Sequence, residues 1–390
     1  MDDIPRQFDT QAVSGDEQTG QPTTGDIVTP IHLASTYTQE QVSDYPEFTY
    51  ARDGTPTRAA LESQLASLSG GSHALALSSG MGAIGTTAMT LLEPGDHVVA
   101  FQYLYGGTRK LFDDIYAESF DLDVEYVDAT STAAVADAVT DETALVWVES
   151  PTNPLMRLCD IGAIAEVADK ADATLCVDNT FASPYFQRPL DLGADVVVHS
   201  TTKYINGHSD SLGGAIVTRD DDFAERAEFV QKYGTGSVLS AFDSYMVLRG
   251  LKTLPARMER HEQNALAVAG FLDSHSAVEA VHYPGLPSHP QHDLAREQMS
   301  GFGGMLSFEI DGGREAAATV LGHLEEIQLA VSLGGVESII ASVPGMTHAY
   351  LTDEKREAMD ISEGLVRMSV GIEATDDIIR DLERGFDRLS

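Results

Sequence analysis

The chain has 390 residues, 43% of them apolar, with 61 acidic against 24 basic side chains and a formal net charge of −37. That length outgrows one simple core and suits a large domain with a smaller companion. The acidity makes nucleic acid and anionic membranes poor partners, and no apolar run approaches the roughly 20 residues that span a bilayer.

Residues 1–24 are polar and acidic, with neither a basic start nor an apolar stretch, so they do not read as a secretory signal. Residues 1–48, rich in Thr, Gln and Asp, read as an extended N-terminal arm. Short apolar runs at 73–77, 97–101, 145–148, 174–177 and 195–198 alternate with helical stretches such as 81–92 and 160–171. That alternation is the pattern of a mostly parallel sheet covered on both faces. The texture changes near residue 242: 242–274 reads as long helical material, 283–292 as a Pro/Gly/His loop and 304–310 as a strand. Helices are expected over 316–324 and, amphipathic, over 376–389. The expected organisation is an arm over 1–48, an α/β domain over 49–241 and a smaller α+β domain over 242–390.

Cys159 and Cys176 are too few for a disulfide framework or a cysteine-rich zinc site, which fits a reducing cytoplasm. Only six of the basic residues are lysines. An acidic, lysine-poor composition fits work in very high salt, where the Debye length falls to about 3 Å and self-repulsion is screened. An acidic protein of ordinary salinity is the alternative.

Among the lysines, Lys203 stands apart. It lies in Asp195-Val-Val-Val-His-Ser-Thr-Thr-Lys-Tyr, just past the end of a buried strand, and ligand sites in open α/β sheets lie outside the carboxyl ends of strands. Asp178 ends another apolar run, Thr174-Leu-Cys-Val-Asp. A lysine amine and a strand-end carboxylate together suit pyridoxal 5'-phosphate. The lysine would hold its aldehyde as a Schiff base, and the carboxylate would keep the pyridine nitrogen protonated, making the ring a stronger electron sink. Such a charge-assisted bond is worth roughly 1.5–3 kcal/mol; the competing role for Asp178 is an N-cap.

Ser78-Ser-Gly-Met-Gly follows the run at 73–77 and opens a helix, where backbone N–H groups and the helix dipole favour a phosphate. About half a positive charge at a helix end does not balance a phosphate dianion, so an arginine is required. Arg52, in Tyr50-Ala-Arg-Asp-Gly-Thr-Pro-Thr, is the candidate, with a surface ion pair as its alternative role. Gly207-His-Ser-Asp-Ser resembles a nucleophile elbow, but Ser211 stands where the second glycine belongs, which leaves a serine hydrolase a remote alternative. His289-Pro-Gln-His292 sits in a Pro-rich loop with no carboxylate or cysteine partner, and Asp220–Asp222 reads as a solvated face, so no metal site is expected.

Together these segments resemble the Cys/Met-metabolism family of pyridoxal-phosphate enzymes. This trans-sulfuration group includes cystathionine γ-synthase, cystathionine γ- and β-lyases, methionine γ-lyase and O-acylhomoserine sulfhydrylases. The resemblance runs from about Thr29-Pro-Ile to the C-terminus. It is carried by Ser79-Gly-Met, Tyr105-Gly-Gly-Thr, Glu149-Ser-Pro-Thr-Asn-Pro, Val177-Asp-Asn-Thr-Phe, Ser200-Thr-Thr-Lys-Tyr and Gly207-His-Ser-Asp. Arg249-Gly-Leu-Lys-Thr-Leu, Ser332-Leu-Gly-Gly-Val-Glu-Ser, Met346-Thr-His and Arg367-Met-Ser-Val-Gly-Ile-Glu continue it. It implies the fold-type I transferase architecture, an α/β fold with a mostly parallel sheet in the large cofactor-binding domain and a smaller α+β C-terminal domain.

The resemblance also implies roles. Lys203 would carry the cofactor and shuttle protons, Asp178 would pair with the pyridine nitrogen, and Tyr105 would stack on the ring and assist the leaving group. Gly80, Met81, Ser200 and Thr202 would bind the phosphate, reached from a neighbouring subunit by Tyr50 and Arg52. Asn153, Ser332 and Arg367 would hold the α-carboxylate of a small amino-acid substrate. A site completed in this way needs at least a dimer, and the resemblance implies a homotetramer built of catalytic dimers.

The expected reaction is γ-replacement or γ-elimination on a homoserine-derived amino acid, as in cystathionine γ-synthase and γ-lyase. Methionine γ-lyase and O-acetylhomoserine sulfhydrylase remain alternatives. Gly107 stands where methionine γ-lyases usually have cysteine, whereas Val331 replaces the glutamate usual in γ-synthases and γ-lyases. Asp53, where some γ-synthases carry an arginine, disfavours O-succinylhomoserine by like charge.

Overall fold

The apolar runs of the first half become the strands of one sheet. They are β1 (His73–Leu77), β2 (His97–Phe101), β3 (Asp123–Val127), β4 (Thr143–Glu149), β5 (Thr174–Asp178), β6 (Val196–His199) and β7 (Gly214–Thr218). The seven strands lie in the order β1-β7-β6-β5-β4-β2-β3, parallel from β6 through to β3, with β7 antiparallel to both of its neighbours. The computed structural model describes residues 6–15, 25–43 and 45–389, so part of the expected arm and of the polar stretch 1–24 lies outside the described residues.

Because the central strands are covered on both faces, β4 to β7 are buried along almost their whole length. Trp147 on β4 is fully buried, and the Phe112 ring meets it edge-on at 5.6 Å between centroids. The helix Gly80–Leu91 starts at Ser79, whose hydroxyl accepts from the Gly82 N–H at 2.9 Å. Asp160 caps the helix Ile161–Lys170 in the same way, and Asp220 caps Asp221–Phe229 by accepting from the Phe223 N–H at 2.8 Å. The acidic run at 220–222 is therefore a helix start as well as a solvated face.

The described part of the arm is not wholly extended. Phe8–Ser14 is a helix whose Ala12 is buried, and Gln64 Nε2 donates to the Ala12 carbonyl at 2.6 Å from the helix Pro56–Ser69. The helical material at 242–274 is made of two helices. It divides into Ala241–Leu251 and Leu254–Asp273, because Pro255 lacks the N–H that a continuous helix needs and sits in the first turn of the second.

A second sheet follows, made of β8 (Val278–His282), β9 (Met305–Ile310), β10 (Gln328–Leu329), β11 (Ile339–Ser342) and β12 (Leu365–Ser369) in the order β10-β11-β12-β9-β8. Only its β10–β11 pair is parallel. Helices Leu254–Asp273, Gly313–Leu321 and Thr375–Phe386 pack on it through Val268, Leu272, Val320, Ile378 and Leu382. A shared apolar cluster joins the two halves of the chain, bringing Leu61 and Tyr204 together with Met258, Met305 and Leu333.

Candidate active site

Past the carboxyl ends of β4, β5 and β6 the chain encloses a cavity of about 610 Å³. Lys203 enters it from the turn after β6. Its Nζ donates to Ser332 Oγ at 2.7 Å, and burial, reinforced by the Arg367 charge, brings the amine down to about 8 from 10.5. The turn is gripped from behind by the buried Arg257. Its guanidinium donates to the carbonyls of Tyr204 (2.7 Å), Ile205 (3.2 Å) and Gly250 (2.9 Å), and its Nε to Thr253 Oγ1 at 3.0 Å. Gly207 has φ +72° and lies so close to that guanidinium that any side chain there would overlap it.

Two carboxylates end adjacent strands on the cavity floor. Asp178 and Glu149 are paired in register across β5 and β4, and both are buried. Asp178 Oδ1 accepts from the Thr180 N–H at 3.0 Å. Glu149 accepts with both oxygens, from the Tyr105 N–H at 2.8 Å and the Asn153 N–H at 3.2 Å. Burial raises both acids, and Asp178 raises Glu149 further. A cation brought against Asp178 relieves that penalty, and a protonated pyridine nitrogen is such a cation.

Arg367 on β12 reaches the same floor, donating to Asn153 Oδ1 at 2.9 Å and to the Ser332 carbonyl at 3.1 Å. Ser332 is held at φ +92°, a left-handed conformation that costs a non-glycine residue about 1–3 kcal/mol. On the opposite wall the helix start at Gly80 and Met81 faces Ser200, so closely that a Cβ at Gly80 would stand 3.0 Å from that of Ser200. Thr202 Oγ1 donates to the Gly213 carbonyl at 3.2 Å and accepts from its N–H at 3.0 Å. Free helix N–H groups, two hydroxyls, a buried acid and a buried amine therefore suit a flat heteroaromatic ring bearing a phosphate.

The chain matches the model of the Cys/Met metabolism PLP-dependent enzyme family over residues 9–387. It belongs to that family. It is 49% identical to a cystathionine γ-synthase of Mycobacterium bovis, over 94% of this chain and 93% of that one. It is 45% identical to a cystathionine γ-lyase of Dictyostelium discoideum, over 95% of each. The solved cystathionine γ-synthase of Xanthomonas oryzae, in complex with aminoacrylate and cysteine, is 43% identical, covers 99% of both chains and superposes with a TM-score of 0.95. The chain is thus a trans-sulfuration enzyme of this pyridoxal-phosphate-dependent family, and the near-equal similarity to a synthase and a lyase does not separate the two reactions.

The cavity brings together Lys203, Tyr105, Asp178, Gly80, Met81, Ser200, Thr202, Asn153, Ser332 and Arg367. Tyr50 and Arg52 do not line it; the Arg52 guanidinium instead stands over the rings of Tyr50 and Tyr233, 5.4 and 5.9 Å from their centroids. The elbow-like Gly207–Ser211 segment carries no nucleophile arrangement, since Ser209 donates to the Glu337 carboxylate at 3.0 Å. Among the described residues no cluster of His, Cys, Asp and Glu could hold a metal.

Sequence reasoning gave Glu149 no role, although it ends an apolar run just as Asp178 does. It also passed over His199 and His348, buried lining residues lowered to about 4 by burial. His199 ends β6 with its side chain fully inside the protein. His348 closes the Met346-Thr-His segment that helped carry the resemblance, but no role was read for it.

Proposed function

We propose that the chain binds pyridoxal 5'-phosphate in this cavity and uses it for replacement or elimination at Cγ of a homoserine-derived amino acid. The observation that carries the reading is the buried amine of Lys203, already lowered to about 8, sharing one cavity with the buried Asp178. When bound, the cofactor supplies an electron sink for the carbanion left at the substrate's Cα. Lys203 would hold the cofactor and then, as a free amine, carry protons between the substrate's Cα and Cβ. Asp178 would accept from the pyridine nitrogen, and Tyr105 would cover the ring and assist the departing group. Arg367, Asn153 and Ser332 would fix the α-carboxylate, which needs Arg367 to exchange part of its present hold on Asn153 and the Ser332 carbonyl.

The Gly80 and Met81 N–H groups with Ser200 and Thr202 would receive the phosphate. Among the described residues Arg367 is the only arginine lining the cavity, and it is already engaged, so an arginine from outside is the proposed partner of the phosphate. Tyr50 and Arg52 of a neighbouring copy are the proposed source, in a homotetramer built of catalytic dimers. Large apolar side chains exposed near the arm, Ile27, Leu33, Val42 and Tyr45, support contact between copies. The division into an arm, a cofactor domain over 49–241 and a C-terminal domain over 242–390 belongs to the same proposal. So does a cytoplasmic setting of high salt; no described helix is long and apolar enough to cross a membrane.

Gly107 favours the γ-synthase and γ-lyase branch over methionine γ-lyase, because a side chain there would overlap the Tyr105 ring and the Met81 sulfur. Val331, apolar and exposed at the cavity mouth, favours the methionine γ-lyase and sulfhydrylase alternatives instead. A product screen separates them. Purified enzyme is offered cystathionine, methionine, and O-acetylhomoserine with cysteine or sulfide. Cystathionine formed or cleaved supports the first reading, and methanethiol from methionine as the main product sinks it. A colourless protein that takes up no pyridoxal phosphate would end both.

A further inference from the structure

The floor and the rim of the cavity differ in chemistry. Glu149, Asn153, Asp178 and Arg367 on the floor are at least nine-tenths buried, whereas Tyr105, Lys110, Leu212, Val331 and Tyr350 are exposed at the rim. Lys110 is the only charged group among these exposed lining residues. Tyr350 lies just beyond the π-helical turn Val343–Thr347. Its hydroxyl sits against Gly106, where a Cβ would collide with it, so the ring is seated on the turn that carries Tyr105 and Lys110. The Lys110 ammonium stands over that ring at 4.7 Å from its centroid. The buried His348 ring lies nearly parallel to it at 6.1 Å, with an interplanar angle of 23°.

With the α-carboxylate anchored on the floor, a substrate's γ-substituent has to extend towards this rim. On the reading of the site given above, we propose that Tyr350 is its specificity-determining residue. Its ring fills the outer end of the pocket and retains the Lys110 ammonium. The site therefore takes γ-substituents without net charge, an acetyl ester or the zwitterionic end of cystathionine, in preference to those ending in a lone carboxylate. A free ammonium at a pocket mouth draws in a carboxylate, whereas one held on an aromatic face has part of its field satisfied by the ring.

The test uses holoenzyme and four variants: Tyr350→Ala, Tyr350→Phe, Tyr350→Leu and the double variant Tyr350→Ala/Lys110→Gln. Tyr350 is half-exposed, so its truncation leaves the core intact, and Tyr350→Leu keeps bulk while removing the π face. With cysteine as acceptor, the ratio of kcat/KM for O-succinylhomoserine to that for O-acetylhomoserine should rise about five-fold in Tyr350→Ala, mainly through KM. Tyr350→Phe should keep the wild-type ratio, and the gain should vanish when Lys110→Gln is added. An unchanged ratio in Tyr350→Ala, or a gain that survives Lys110→Gln, overturns the proposal.

Amine-selective acetylation mapped by peptide mass gives a readout independent of turnover. Lys110 should label about two- to five-fold faster in Tyr350→Ala and Tyr350→Leu, and at the wild-type rate in Tyr350→Phe. If wild-type enzyme turns over neither ester and does not cleave cystathionine, the proposed reaction fails. The labelling then decides the Tyr350–Lys110 contact by itself, and equal labelling in all variants overturns it.

Discussion

An ordinary lysine holds its proton to about pH 10.5, whereas Lys203 is lowered to about 8, first by burial and then by the Arg367 charge. The fraction of free amine at Lys203 therefore climbs through pH 8, more than two pH units earlier than on an ordinary lysine. In cofactor-free protein, acetylation of the Lys203 peptide should level off above about pH 8 while exposed lysine peptides keep accelerating. Arg367→Met, which removes the second cause, should move that midpoint upward; an unmoved midpoint would show that burial alone sets it. Glu149 offers a sharper case. Glutamine there presents one oxygen and one NH2, so either the Tyr105 or the Asn153 N–H loses its acceptor, at a cost of about 1–3 kcal/mol. Glu149→Gln should lower kcat/KM by roughly ten-fold or more, with a raised KM if Asn153 is the loser; wild-type kinetics would remove Glu149 from the site's support. Asp178 was legible in the sequence because its role had a known chemical partner. Glu149 was not, because what it holds is two backbone N–H groups, one of them 44 residues away.

At the scale of elements, the legible parts were those whose environment is uniform. Strands buried on both faces, such as β5 and β6, read as unbroken apolar runs, and their ends were placed within about a residue. The edge strand β3, Asp-Val-Glu-Tyr-Val, mixes exposed and half-buried positions, and β7 opens on glycine, so neither announced itself. In the second sheet only β9, expected over 304–310, was legible; the others were quiet, and β10 has just two residues, both exposed. The turn between β6 and β7 shows what local reading cannot reach. Lys203 was evident, but the Arg257 grip on the carbonyls of Tyr204 and Ile205 comes from a helix some fifty residues on. Gly207→Ala should displace that guanidinium and strain a positive φ, costing about 1–3 kcal/mol. Thermal unfolding would register the loss, and slower uptake of pyridoxal phosphate would register the loosened lysine turn. A variant as stable as wild type would mean that the arginine is not clasping this turn.

For the whole molecule, the charge of −37 has to be carried on one folded surface. Raising salt from 0.1 M to 1 M shortens the Debye length from about 10 Å to 3 Å, which removes most of the repulsion between neighbouring carboxylates while leaving direct ion pairs in place. The melting temperature should therefore rise steadily with KCl over that range, and a flat profile would count against a high-salt setting. Assembly has its own test. Arg52→Ala and Lys203→Ala subunits, each inactive alone, should regain partial activity when mixed, because some interfaces then pair an intact Lys203 with an intact neighbouring Arg52. No recovery in verified mixed oligomers would place Arg52 elsewhere.

The pairing of β1 with β7 bears on how the protein is made. β1 lies at the sheet's edge with β7 as its neighbour, His73 opposite Thr218. A ribosome releases β1 long before β7 exists, so the nascent strand waits through the synthesis of five others. The helix start at Gly80 follows β1, and Lys203 lies in the turn that leads from β6 to β7. When this last pair zips together, it brings the anion cradle and the amine face to face in one event. Cofactor uptake would then report a finished sheet.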